Sequence, residues 1–267
     1  MRSHFFSLAL LFSTMALFSQ KSINYQNSFE KAVQHEADIE IVYRGLEPGE
    51  LRIRMSRSSP GRYAVHEFAK NVYAFQAFNE NNESLKVQRP NPHEWVLSGH
   101  GGTVKVKYTL FANHGDGTYA QIDESHAHLN IPAAFLFAPD HAIEPIEIEI
   151  HAREDLNWKL PTQLKSLGEN RFYAPDLHYF MDSPIEVSDH KIKSFELDAA
   201  AGSATINFVL PLEIGFVGFD DYSGMAEKFV KEQMRVFVEL KKFYFGAYTF
   251  LACYAPNVVG DCMEHRK

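Results

Sequence analysis

The stretch TVKVKYTLFA, from Thr103 to Ala112, places an apolar residue at every second position and begins with polar residues between them. Successive side chains of a strand point to opposite faces, so this pattern predicts one face on a core and the other in water. The same alternation recurs in four further stretches: Asp38 to Tyr43, Glu50 to Met55, Ile143 to Ala152 and Thr205 to Leu212. Gly, Pro and Asn clusters separate them. The sequence therefore predicts a mainly β protein, built as an antiparallel β-sandwich or saddle.

Length and charge limit the classes of protein to which this chain can belong. The chain has 267 residues, of which 45% are hydrophobic, and this is enough for a sizeable core. The formal net charge is -8, and no run rich in Lys and Arg is present. The charge pattern that nucleic-acid binding requires is therefore missing.

The first 20 residues predict a secretory signal peptide. Arg2 precedes an apolar run from Phe5 to Phe18, and small and polar residues follow. The run is shorter than the ~20 residues that span a bilayer, and an ordinary buried helix is the alternative. On the signal-peptide hypothesis the mature protein is exported, either periplasmic or secreted. Export permits disulfides, and Cys253 and Cys262 either pair or remain buried free thiols.

The pattern changes after Leu212. The segment DDYSGMAEKFVKEQMRVFVELKKFYFG, residues 220–246, has apolar residues at helical spacing, with Asp221 or Ser223 as the candidate cap. Two strand-like runs follow it. We therefore divide the chain into a signal peptide over 1–20, a β-sandwich domain over 21–204 and an incomplete α+β segment over 205–267, which is too short to bury a good core alone.

His66 and Glu67 are followed by Lys70, where a zinc peptidase of the H-E-x-x-H type has its second histidine. That motif works because residues i and i+4 share one helix face and reach one metal. Lys70 would bring positive charge toward the ion, and the flanking sequence is typical of turns and strands. We interpret the His-Glu pair as incidental.

His126 and His128 form a second candidate, because residues i and i+2 of a strand share one face. His114, Asp123 and Glu124 are near enough in sequence to complete a metal site. A polar strand face near a loop explains the same pattern without a metal, and we favour it because nothing specifies a third or fourth ligand.

Several long blocks resemble the N-terminal domain of the glycyl aminopeptidase family of zinc metallopeptidases. They include SPGRYAVHEFAKNVYAFQAF (Ser59 to Phe78), YTLFANHGDGTYAQIDESHAHLNIPAAFLFAP (Tyr108 to Pro139), YAPDLHYFMDSPIE (Tyr173 to Glu186) and YTFLACYAPNVVGDCMEHR (Tyr248 to Arg266). The resemblance implies a β-rich domain that leads into a thermolysin-like catalytic domain. It also implies that the zinc-binding H-E-x-x-H helix lies downstream of Lys267, so no zinc is expected on this chain and no catalytic residue is assigned in it.

One family role is carried over by position. The run Gly260-Asp261-Cys262-Met263-Glu264-His265 resembles the edge strand beside the zinc, where the Glu meets the free α-amino group of the substrate. By this resemblance Glu264 is the amine anchor, with Met263 and Gly260 beside it on the substrate-binding strand. A carboxylate suits that role because it pairs with an ammonium group and accepts its hydrogen bonds.

Two functions follow as hypotheses. The first is the N-terminal portion of an exported zinc aminopeptidase that releases glycine or alanine from peptides with a free N-terminus, inactive as the chain alone. The second is a non-catalytic exported β-sandwich that serves as a binding or structural module. The oligomeric state stays open.

Overall fold

The computed structural model describes residues 21–59, 62–199, 202–211, 218–237 and 243–254. The strands are β1 Ser22–Ser28, β2 Glu36–Arg44, β3 Glu50–Arg54, β4 Val72–Phe78, β5 Lys86–Asn91, β6 Glu94–Ser98, β7 Thr103–Phe111, β8 Ala120–Ile122, β9 His126–Leu129, β10 Ile146–His151, β11 Lys165–Ser166, β12 Arg171–Ala174, β13 Ile185–Ser188, β14 His190–Ala199, β15 Gly202–Pro211 and β16 Ala247–Leu251. The α-helices are α1 Ile131–Ala134, α2 Leu177–Met181 and α3 Phe219–Phe237.

The largest sheet has seven strands in the order β11-β12-β10-β1-β2-β7-β4. Strand β7, which forms most of the alternating stretch from Thr103 to Ala112, lies between β2 and β4 and pairs antiparallel with both. Its alternate residues form part of the core, and they are Val104, Val106, Tyr108 and Leu110. The alternation thus marks a strand with one face on the core, as predicted.

Three smaller sheets complete the described architecture, in the orders β3-β6-β5, β13-β9-β8 and β14-β15-β16. Most strand pairs are antiparallel, and β1 with β10 and β15 with β16 are parallel. The prediction of a mainly β fold with several antiparallel sheets is confirmed. All five alternating stretches contain a strand.

Two local details differ from the predictions. The strand predicted from Ile143 begins only at Ile146, because Pro145 has no N–H to donate to a neighbouring strand. Helix α3 begins at Phe219, so Asp221 and Ser223 lie inside its first turns rather than at its cap. The hydroxyl of Ser223 instead donates to the carbonyl of Asp220, at 3.1 Å.

The C-terminal part of the described chain forms a unit of strands and one helix. Strands β14 and β15 form a long hairpin, β16 adds to it in parallel, and α3 contacts both hairpin strands. The predicted boundary between residues 204 and 205 lies inside β15. In the described part of the chain no helix is both long and apolar enough to cross a membrane.

Buried tyrosines hold the chain segment that follows α1. The hydroxyl of Tyr108 donates to the carbonyl of Ala134 at 2.9 Å and accepts the N–H of Leu136 at 3.1 Å. The hydroxyl of Tyr25 donates to the carbonyl of Leu136 at 2.9 Å. Burial raises the pKa of Tyr108 well above its ordinary value, which keeps its hydroxyl protonated as a donor. These bonds satisfy backbone groups that the core would otherwise leave unpaired.

Candidate functional site

The three-stranded sheet β13-β9-β8 has one apolar and one polar face. Its apolar residues, which include Ala127, Leu129, Ile185 and Val187, belong to the core. Two strand pairs place polar residues opposite each other on the second face: Glu186 faces His128, and Ser188 faces His126. We call the four residues Glu186, Ser188, His126 and His128 the polar face.

Hydrogen bonds hold the side chain of Glu186 and the outer edge of β13 in place. Nδ1 of His128 lies 3.1 Å from Oε2 of Glu186, whose side chain is 3% exposed. The free edge of β13 is covered by Lys159, because its N–H donates to the carbonyl of Ser188 at 2.9 Å and its carbonyl accepts the N–H of Ser188 at 3.1 Å. Glu186 and Ser188 are therefore buried, and we call these two residues the floor of the polar face. The side chain of His128, which is bonded to Glu186, is 19% exposed.

A chain of three residues fixes which ring nitrogen of neutral His126 donates a hydrogen bond. The Ser125 hydroxyl donates to Oδ1 of Asp123 at 2.5 Å. Its single proton is used there, so Ser125 Oγ accepts from Nδ1 of His126, 3.0 Å away. Partial burial raises the pKa of Asp123, but hydrogen bonds from Ser125 and the nearby His126 outweigh burial and hold the pKa below its ordinary value. In neutral His126 the proton is therefore on Nδ1, and Nε2 is an acceptor.

Several buried polar atoms of the polar face have no hydrogen-bond partner in the described structure. They are Oε1 of Glu186, Oγ of Ser188 and Nε2 of His126. Leaving a buried polar group unpaired costs about 1–3 kcal/mol, and more for a charged group. Such atoms are rare in native proteins and indicate a water or ligand that completes them.

A second hydrogen-bond network joins the end of β9, next to the polar face, to two segments earlier in the chain. The amide of Asn130, just after β9, donates to the Ser59 hydroxyl at 2.8 Å and to the carbonyl of Thr118. The Ser59 hydroxyl donates to the same carbonyl at 3.3 Å. Ser59 lies in one family-like block, and Thr118 and Asn130 lie in a second. Glu186 of β13 lies in a third, so three blocks meet around one small sheet.

Tyr119 is the centre of an adjoining aromatic cluster. Its hydroxyl lies 3.1 Å from Nδ1 of His66, and the His114 ring is centred 4.3 Å from its own ring. His66 also stacks on Phe68 with 5.4 Å between ring centroids. The ammonium of Lys70 lies 5.4 Å from the centre of the Tyr119 ring, a cation–π contact.

The segment around His66 does not have the geometry of a helical zinc motif. Glu67 has a left-handed backbone, φ 52°, and precedes a single 3-10 turn over Phe68–Asn71. Its carboxylate pairs with Arg57. Residues i and i+4 therefore do not share a helix face here. His114 pairs with Asp116, with 3.0 Å between Nε2 and Oδ2. Among the described residues, His114, His126 and His128 belong to no group of three side chains that could hold a metal ion.

The predicted substrate-binding residues Gly260, Met263 and Glu264 lie outside the described residues, as does Cys262. Cys253 is half-buried. Sequence reasoning identified His126 and His128 but missed Glu186 and Ser188. The signal was present in the run IEVS, where Glu186 and Ser188 alternate with apolar residues, but its partner strand is 58 residues away along the chain.

His190, which opens β14 beside the polar face, gives a test of pH dependence. Burial is the largest influence and lowers the pKa of His190 below its ordinary value, and the charge of Lys159 lowers it further. The carbonyl of Ser188, which accepts from Nδ1 at 3.0 Å, and the charges of Glu186 and Asp189 raise the pKa but do not offset burial. The unfolded chain therefore binds this proton at higher pH than the folded chain.

We expect the contribution of His190 to stability to be complete above about pH 6.5 and to decrease as pH falls toward its folded pKa. Urea unfolding at pH 7.5 and 5.5 measures it. His190→Gln should reduce the loss of stability between these values, whereas His178→Gln, at an exposed histidine, should leave it unchanged. Equal pH dependence in His190→Gln and the parent protein would contradict the assignment.

Comparisons with known proteins place the fold in a peptidase family. The Peptidase M61 N-terminal domain matches residues 24–189, and the chain belongs to that family. A structure of an aminopeptidase N family protein from Idiomarina loihiensis is similar with a TM-score of 0.77 and 21% identity, over 89% of this chain and 40% of that chain. The present chain thus spans well under half the length of that protein, and the similarity shows the fold.

More distant matches include an M1 zinc metallopeptidase from Deinococcus radiodurans bound to Tyr-Ser-Ala, with 9% identity, a TM-score of 0.42 and coverage of 75% of this chain and 50% of that chain. Aminopeptidase A from Legionella pneumophila has 12% identity and a TM-score of 0.43, over 74% of this chain and 25% of that chain. No curated protein matches the chain.

Proposed function

We propose that this chain is the N-terminal portion of an exported zinc aminopeptidase that releases small N-terminal residues, glycine or alanine, from peptides. The observation that carries the proposal is the match of residues 24–189 to the N-terminal domain of a peptidase family. The fold similarity to a longer aminopeptidase N family protein supports it. The activity is proposed for a longer protein, of which this chain supplies the β-rich wall.

Zinc is the cofactor that the proposal implies, and the described residues do not fit it. Within the described ranges, no three side chains of His, Cys, Asp or Glu are grouped so as to hold a metal ion. We therefore derive no chemical step through zinc. The proposal assigns the H-E-x-x-H ligands and general base to sequence downstream of Lys267, and it expects the chain alone to bind no zinc and to be inactive.

The proposed contribution of this chain to substrate binding is the segment from Gly260 to Glu264, which by resemblance would be an edge strand. The Glu264 carboxylate would pair with the α-ammonium group of a peptide, which favours an unblocked N-terminus. Backbone groups of an edge strand, from Gly260 through Met263, would pair with the extended peptide. The partner is thus a peptide with a free N-terminus.

Export is the part of the proposal that rests on residues 1–20. The short apolar run after Arg2 supports it, because a signal peptide has this layout and is removed on secretion. N-terminal sequencing of the mature protein is the test. We expect the mature chain to begin near Lys21, and a mature protein that retains Met1 would contradict export by this route.

The coding sequence downstream of Lys267 tests the peptidase proposal. We expect an H-E-x-x-H motif there, in the same frame or after a frameshift, because the resemblance assigns the zinc helix to the sequence that follows Glu264. A stop codon with no such motif in any frame would contradict the proposal and favour a non-catalytic exported β-sandwich instead.

A further inference from the structure

Three buried side chains of the polar face have polar atoms without a hydrogen-bond partner in the described structure. Glu186, Ser188 and His126 are each 2% exposed or less, and each has one polar atom without a partner. Residues opposite each other in a sheet have Cβ atoms about 4.5–5.5 Å apart, and residues two apart on one strand are about 6.6 Å apart. Glu186 and His126 are diagonal neighbours across this strand pair. Diagonal neighbours are about 7–8 Å apart, which aromatic and long side chains still bridge, so one small group between them can contact all three side chains.

The unpaired atoms are mainly acceptors. Oε1 of Glu186 is a carboxylate oxygen, and Nε2 of His126 is an acceptor because the Asp123–Ser125 chain places the ring proton on Nδ1. The Ser188 hydroxyl both donates and accepts. A complementary group therefore brings at least two N–H donors, and the charge of Glu186 favours one that is positive.

The surroundings of the floor narrow the choice of ligand. An anion would face the Glu186 carboxylate. The described chain offers no group of three metal ligands here. Lys159, whose backbone pairs with Ser188, has its ammonium 3.7 Å from the carboxylate of Asp189 and is already paired. A lone water would satisfy two acceptors but would bring no charge to Oε1 of Glu186, whose carboxylate is otherwise bonded, among the described residues, only at Oε2, to Nδ1 of His128.

We propose that Glu186, Ser188 and His126 bind the primary ammonium group of a peptide, reached past the partly exposed His128. The ammonium is either the α-amino group of an N-terminus or the side chain of a lysine. The first source rests on the proposed peptidase function. The site differs from the one assigned to Glu264, it lies wholly in the β domain, and it requires neither zinc nor hydrolysis.

Nitrogen NMR of the histidine rings in the whole chain tests the proposal without any variant. The probes are glycinamide for the α-ammonium, Nα-acetyl-lysine amide for the side-chain ammonium, and N-acetylglycinamide as the neutral control. We expect the His126 Nε2 signal to shift saturably with one or both charged probes and not with the neutral one. The probe that binds more tightly identifies the source.

Variants separate the site from non-specific attraction to an acidic protein. Glu186→Gln is expected to weaken ammonium binding about tenfold or more, since it removes a charge-assisted hydrogen bond. Ser188→Ala should weaken it less, and Glu47→Gln, at an exposed carboxylate, should leave it unchanged.

Two results would overturn the proposal: a His126 signal that no charged probe shifts, or binding that the neutral amide matches. Because binding is read from the rings of the chain itself, a failure here is distinguishable from a failure of the proposed peptidase activity. Peptide hydrolysis by a longer gene product is a separate measurement, and its outcome does not depend on ammonium binding at this site.

Discussion

Replacing Glu264 with alanine in the complete gene product is expected to lower kcat/KM for glycyl and alanyl substrates by about 30- to 5000-fold. Truncating one partner of a buried, hydrogen-bonded charge pair costs about 2–5 kcal/mol, and each 1.36 kcal/mol corresponds to about tenfold in rate. The lost interaction is the one proposed between the Glu264 carboxylate and the substrate α-ammonium. Steady-state hydrolysis of aminoacyl chromogenic substrates measures it.

Two comparisons make the Glu264 test specific. Glu264→Gln keeps an acceptor oxygen but loses the charge, so its effect should be intermediate. Glu47→Ala removes an exposed carboxylate in the turn between β2 and β3 and should leave kcat/KM unchanged. If Glu264→Ala retains activity within threefold of the parent enzyme, Glu264 is not the amine anchor.

Replacing Tyr108 with phenylalanine is expected to lower the free energy of unfolding by about 2–6 kcal/mol. The change removes one hydroxyl and leaves two fully buried backbone groups, the N–H of Leu136 and the carbonyl of Ala134, without their partner. Each unsatisfied buried group costs about 1–3 kcal/mol. Urea unfolding measures the loss, with an unchanged denaturant dependence as the sign of a local effect.

Tyr63 provides the matched control for Tyr108. Its side chain is fully exposed, so Tyr63→Phe should change stability by less than about 0.5 kcal/mol. A loss below about 0.5 kcal/mol for Tyr108→Phe as well would mean that water replaces the missing hydroxyl. The tyrosine network would then contribute little to holding the segment after α1.

The alternation of apolar and polar residues predicted those strands that turn one uniformly apolar face toward the core. The stretch from Thr103 to Ala112 became β7 because its alternate residues reach one core. The pattern did not predict that β10 starts only after Pro145. Nor did it predict that β1 pairs in parallel with β10, because that pairing joins residues about 120 positions apart. Sequence periodicity is local, whereas strand order depends on contacts across the chain.

The candidate site was predictable only in part for the same reason. His126 and His128 were visible as a spaced pair on a strand. Their partners Glu186 and Ser188 were not, since only the register between β9 and β13 brings them together. The resemblance of three separate blocks to one family indicated this region more directly, because those blocks meet around the small sheet and Tyr119.

Aminopeptidase activity of the complete gene product is the most direct test of the central claim. The measurement is release of chromophore from glycyl and alanyl p-nitroanilides, with and without a metal chelator, beside the 267-residue chain alone. We predict hydrolysis by the complete product that the chelator abolishes and zinc restores, and none by the chain alone. Absence of hydrolysis by the complete product, or hydrolysis that survives the chelator, would contradict the account.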